Sequence, residues 1–228
     1  MPFLRFRSMT SHANQAGFTR TEYLVFAGIL VILGLVAVGP VIQYLHRVRI
    51  EHAVESAHTL DTLLSQYATD NNGVYPVGEG TPASGKSEGI ARNLLENNYT
   101  PDPGIFAFGS TEKYSGNASD FSDFTAANIS WDFTAGANAT TGLTSSAPDS
   151  LPIVYSTGET IPYPVAPGVG VNLPLSGNGP FAKKGVVVAY KDNSAKFIIA
   201  IASGADAVAP GFISPAFKDT ATYTQIKP

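Results

Sequence analysis

The chain has 228 residues, with 14 basic against 18 acidic side chains, no cysteine, and only 14% charged residues, against about 25% in a typical soluble domain. The absence of cysteine excludes a disulfide framework, a thiolate metal site and a cysteine nucleophile. All four histidines lie early, at His12, His46, His52 and His58, which removes Ser-His-Asp catalysis and histidine-ligated zinc from the rest of the chain and argues against an enzyme.

The N-terminal portion is basic. Residues 1–50 hold Arg5, Arg7, Arg20, Arg47 and Arg49 against Glu22 alone, whereas residues 51–228 hold nine basic and seventeen acidic side chains. An acidic body offers no patch for a phosphate backbone, so nucleic acid is not an expected partner. The arginines flank an apolar run instead, which points to a membrane.

That run, Tyr23 to Leu45, is 23 residues without a formal charge, and about 20 suffice to span the hydrocarbon core as a helix. A buried core helix is the first competing reading, but such helices are rarely apolar on every side. A secretory signal peptide cut after Ala37-Val38-Gly39 is the second. Its apolar stretch would exceed the usual length of roughly 7–15 residues, and Pro40 would follow the cut. Three arginines before the span and two after it favour a cytoplasmic N-terminus by one charge.

Helical spacing continues beyond the run. Ala53, Ala57, Leu60, Leu64 and Tyr67 recur at intervals of three and four, with Glu51, Glu55, Asp61 and Ser65 between them. Asp70-Asn71-Asn72-Gly73 is a stop signal. The spacing therefore predicts one helix over about 19–71, roughly 80 Å long. Pro40 removes one of its hydrogen bonds, and Gly28, Gly34 and Gly39 weaken it further. A helix break, as a bend or a locally melted stretch, is expected at Gly39-Pro40.

Before the span stands Gly17-Phe18-Thr19-Arg20-Thr21-Glu22. A charged group at mid-membrane costs about 2.5–3.5 kcal/mol, and less near an interface. A cut between Gly17 and Phe18 would give Phe18 a cationic amino group four residues from Glu22. Within one helix the two meet only partly. Between axially staggered subunits they pair fully, which would turn a cost in the lone chain into a drive for assembly. The simpler reading of Glu22 is a helix-opening carboxylate favoured by the macrodipole.

These residues resemble the N-terminus of the type IV pilin and type II secretion pseudopilin superfamily. Gly17 matches its last leader residue, Phe18 its first mature residue, Thr19 the second and Glu22 the fifth; Pro40 falls near its helix-weakening proline. The stretch from Leu60 to Pro76, ending Asn71-Asn72-Gly73-Val74-Tyr75-Pro76, is similar to the helix end of a major pseudopilin. The resemblance covers residues 1 to about 105 and is specific in its first half. Arg20 departs from it, at a third mature position that is usually apolar; it would snorkel to the interface or pair with Glu22.

The resemblance implies a leader peptide over 1–17, a transmembrane and filament-core helix over 18–46, an amphipathic continuation over 47–72 and a β-rich globular domain over 73–228. Prepilin peptidase would cleave after Gly17, with N-methylation of Phe18, and an inner-membrane assembly platform would add the subunit to a helical filament through Phe18 and Glu22. The precursor would sit in the inner membrane as a single-pass protein with a cytoplasmic N-terminus, and the filament would be periplasmic or extracellular. No cofactor is expected. Calcium, which major pseudopilins often hold near their C-terminal strands, has oxygen donors in the right region at Asp192, Asn193, Ser194, Asp206 and Asp219, but a bare turn explains the first three as well.

After Gly73 the composition shifts to Gly, Pro, Asn, Ser and Thr. Residues 90–96 predict a short helix and Pro101-Asp102-Pro103-Gly104 a turn. Residues 110–150 are polar, with Tyr114, Phe121, Phe124, Trp131 and Phe133 spaced through them, and read as a surface insertion with a few strands. Residues 151–155 and 161–165 predict strands, the second confined to an edge by Pro162 and Pro164. Residues 185–191 and 195–202, joined by Asp192-Asn193-Ser194, predict a hairpin. The expected fold class is α+β: a long N-terminal helix packed through Ala53, Ala57, Leu60 and Leu64 on a C-terminal antiparallel sheet, as in type IV pilins. Three functions follow: a structural subunit of a type IV pilus-like filament or a secretion pseudopilus; a low-copy minor pilin or adhesin binding through residues 110–150; and a membrane-anchored enzyme, the least supported.

Overall fold

The computed structural model describes residues 19–78, 85–109, 111–117, 120–166, 168–203, 206–217, 219 and 221–228. Gly17 and Phe18 lie outside them. The chain divides into two units, Met1–Leu45 and His46–Pro228.

Helix α1 runs from Arg20 to Asp70, 51 residues. In the first unit none of its described residues is buried. Pro40 lies inside it and the helix is uninterrupted there, so the expected weakening at Gly39-Pro40, a bend or a locally melted stretch, does not take the form of a melted stretch. The proline deletes one donor, and the intact turns on either side carry the helix through.

In the second unit, α1 buries a stripe formed by Ala53, Ala57, Leu60, Leu64 and Ala68, each at most 3% exposed. The stripe joins one hydrophobic core with the strands below. Asp61, one residue along from Leu60, is also fully buried. The helix closes as its Asn-Asn-Gly sequence predicts. Asn72 and Gly73 take φ values of 57° and 80°, and the Gly73 amide donates to Ala68 O at 2.7 Å, satisfying a carbonyl that the helix end orphans. A Cβ on Gly73 would also stand 2.6 Å from Ser145 Oγ.

Among the described residues the body holds a short helix, α2 (Ser87–Glu96), and eight strands: β1 (Trp131–Ala135), β2 (Pro152–Ser156), β3 (Val171–Leu175), β4 (Gly185–Tyr190), β5 (Ala195–Ile199), β6 (Ile201–Ser203), β7 (Asp206–Ile213) and β8 (Thr224–Ile226). They form a five-stranded sheet, β5-β4-β2-β1-β8, and a three-stranded sheet, β3-β7-β6. All pairings are antiparallel. The sheets meet through aromatic side chains: Tyr190 Oη donates to Phe212 O at 2.8 Å, and the Tyr155 and Phe212 rings meet edge to face.

Strand β8 is fastened at several points. Gln225 Nε2 donates to Asp132 Oδ2 at 2.7 Å and to Glu159 O at 2.8 Å, while its Oε1 accepts from the Ile161 amide at 3.0 Å. At the start of α2, the Ser87 amide and hydroxyl donate to Lys227 O and Ile226 O.

Three expectations need correction. Residues 110–150 are not a surface insertion. Phe121, Phe124, Trp131 and Phe133 are at most 6% exposed, and β1 lies between β2 and β8. Their polar neighbours come from tight turns between core aromatics, as when Tyr114 Oη donates to Asp120 O at 2.8 Å. Residues 161–165 form no strand: Ile161 N bonds a side chain and Tyr163 N bonds Ile161 O, while Pro162 and Pro164 have no donor to give. The Tyr163–Pro164 peptide is cis. The predicted strand over 195–202 is two strands. Β5 pairs with β4, and after Ala200 donates to Lys184 O the chain crosses to the other sheet as β6.

Candidate functional site

Fourteen large apolar side chains between Tyr23 and Leu45 are 49–70% exposed. At roughly 1.5–3 kcal/mol per side chain withheld from an apolar environment, leaving them in water costs on the order of 20 kcal/mol. That exceeds the net stability of a typical domain, about 5–15 kcal/mol, so this surface requires cover that the described chain does not provide. Among the described residues one helix is long and apolar enough to cross a membrane, and it is this one. Cβ atoms added at Gly28, Gly34 or Gly39 would meet nothing within 4 Å, so no contact within the described chain explains these glycines.

At the helix start, Thr19 and Glu22 cap each other. The Thr19 amide and hydroxyl donate to Glu22 Oε2 at 2.8 and 2.9 Å, and the Glu22 amide donates to Thr19 Oγ1 at 3.3 Å. This reciprocal arrangement satisfies donors that a helix N-terminus leaves orphaned. Both side-chain contacts fall on Oε2. The carboxylate thus opens its own helix, as the simpler reading has it, through a reciprocal cap that the macrodipole argument does not specify. The signal was present: Thr19-Arg20-Thr21-Glu22 fits the Ser/Thr-x-x-Glu pattern of a capping box. Among the described residues Arg20 forms no ion pair with Glu22, because positions two apart on a helix do not face each other.

The suggested calcium donors serve local turns. Asp192 Oδ1 accepts from the Ser194 amide at 3.0 Å and from its hydroxyl at 2.5 Å. Asp219 accepts from the Ala221 amide and the Tyr223 hydroxyl. The Asp206 side chain lies outside the described residues. Among the described residues no group of three or more His, Asp or Glu side chains is arranged to hold a metal ion. Of the other expected site residues, Gly39 and Pro40 sit within α1, and Gly17 and Phe18 lie outside the described chain.

Comparison with protein-family models, with curated proteins and with solved structures finds no match to this chain.

Proposed function

We propose that this protein is a structural subunit of a type IV pilus-like filament, cleaved after Gly17 by prepilin peptidase and assembled through its apolar N-terminal helix. The observation that carries the reading is the helix surface itself: an unburied apolar stretch preceded by Gly17-Phe18-Thr19 and opened by Glu22. Lipid covers it in the precursor, and the apolar helices of axially staggered subunits, meeting through different sides, cover it in the filament. Such heterologous contacts need not close, so they generate a fibre. Glu22 Oε2 is engaged by Thr19, which leaves Oε1 to receive the Phe18 amino group of an adjacent subunit. The amphipathic half of α1 against antiparallel strands supports a pilin-like subunit as well.

Within this class the secretion pseudopilus gains weight. An aromatic-bearing surface over 110–150 would favour a pilus, but Phe121, Phe124, Trp131 and Phe133 belong to the core. The Leu60–Pro76 stretch, which resembles the helix end of a major pseudopilin, keeps its force. The same burial weakens the adhesin reading.

Mass spectrometry of the N-terminus from a sheared-filament fraction tests the proposal. The expected result is an abundant chain beginning at methylated Phe18. A chain beginning at Met1 or Pro40, confined to membrane or soluble fractions, would refute it.

A further inference from the structure

Asp61 lies beside Leu60 and within one turn of Leu64, fully buried, and neither carboxylate oxygen has a hydrogen-bond partner. Buried polar groups are almost always paired, so this one demands a physical account. Its surroundings are the turn joining β4 and β5. Thr62 Oγ1 donates to Asn193 Oδ1 at 3.3 Å across that contact. The exposed Asp192 of the turn adds a like charge. Lys191 is the basic group that acts on Asp61, but its Nζ is 2.8 Å from Asp149 Oδ1 and so engaged elsewhere. On the helix itself, His58 stands one turn back, exposed to solvent.

An ionised Asp61 would be a charge without a donor beside another carboxylate, which burial makes expensive. A protonated Asp61 is a neutral group among Leu60, Leu64 and the turn. We propose that Asp61 and the β4–β5 turn form a proton-operated clasp, closed on the sheet when the carboxyl is protonated and loosened when it ionises. The cost of burial, and secondarily Asp192, push its pKa up to about 7 from an ordinary 3.8. When the clasp opens, the carboxyl ionises near its ordinary value. The closed state therefore binds the extra proton between the two values, and its stability falls as pH rises from about 4 to about 7, then levels. The clasp does not depend on filament assembly and would operate in the lone chain.

Hydrogen exchange of the full chain in detergent micelles tests it. Amides of residues 57–68 would be followed near pH 5.5 and near pH 8, each corrected for intrinsic exchange. The expected result is an opening constant that rises on the order of ten-fold at the higher pH. Asp61→Asn flattens that dependence, with His58 retained as an internal control. Asp192→Asn, in an exposed turn and so readable even if the first variant misfolds, moves the midpoint to lower pH. Equal protection at both pH values, or an unchanged pH dependence in Asp61→Asn, would overturn the clasp. So would protection restored at pH 8 by calcium in the parent chain alone, which would assign the carboxylate to a cation.

Discussion

Leu33 and Leu60 occupy one continuous helix, yet the first is 59% exposed and the second fully buried. The same backbone geometry serves opposite solvation because the side-chain pattern differs. From Tyr23 to Leu45 the helix is apolar on every side, so no single face can be covered by a sheet. From Ala53 onward apolar residues recur every third or fourth position, and one stripe meets the body's core while Glu51 and Glu55 face water. Hydrophobicity alone does not say where a helix goes; its angular distribution does.

That contrast can be broken most directly by truncating each leucine. Leu60→Ala should destabilise the body by about 2–5 kcal/mol, the range for emptying a buried leucine site. Leu33→Ala should change body stability by less than about 0.5 kcal/mol. Denaturant unfolding followed through Trp131, the chain's single tryptophan and fully buried, measures both. Equal effects would mean that the two halves of α1 share one cooperative core.

A second contrast is electrostatic. Asp132 is fully buried in β1 with one oxygen unpartnered. Burial pushes its pKa up to about 6 from an ordinary 3.8, despite the opposing hydrogen bonds of Thr157 and Gln225. The folded state thus holds a proton that the unfolded state has released, so stability falls as pH rises from about 4 to about 6. The loss should be on the order of 2 kcal/mol. Asp132→Asn, compared by denaturant melts across that window, should reduce the slope; an unchanged slope would show that Asp132 is not its source.

The smallest expected effect lies at the helix start. Thr19→Ala removes one side of the reciprocal cap and should destabilise the first turn of α1 by about 1 kcal/mol. Faster amide exchange over residues 20–24, with body melting unchanged, is the expected result. A shift in body melting would tie the two units energetically.

Much of this was legible in the sequence where one local rule dominated. The α1 stripe, its Asn-Asn-Gly stop and the β4–β5 hairpin each follow from spacing or turn chemistry within about twenty residues. Strands β3 and β7 escaped because Pro174 and Pro210 interrupt them, and proline inside a run counts against a strand. The structure accommodates this with an irregular register between Val171 and Leu173 and with Gly211 at φ 62°. Trp131 and Phe133 were placed on the surface because their neighbours are polar; burial there depends on β2 and β8, distant partners that composition cannot reveal. Asp61 looked like a solvated position for the same reason. Its burial, with the β4–β5 turn beside it, comes from the folded body and not from its sequence neighbours.

The fastening of β8 also sets an order in time. Ser87 contacts Ile226 across 139 residues, and Asp132 contacts Gln225 across 93. Contacts so remote in sequence form slowly, whereas β4 and β5 need only a four-residue connection between Gly185–Tyr190 and Ala195–Ile199. During synthesis the hairpin can form at once, but the β1 edge stays open until residues 224–227 have emerged. An open edge invites pairing with another chain. The apolar helix is long enough to cross a membrane and needs no long-range partner, so on the proposed reading it would be available to lipid well before then. On the proposed membrane-anchored reading, a nascent chain would be anchored first and finished last, its β1 edge open in the meantime.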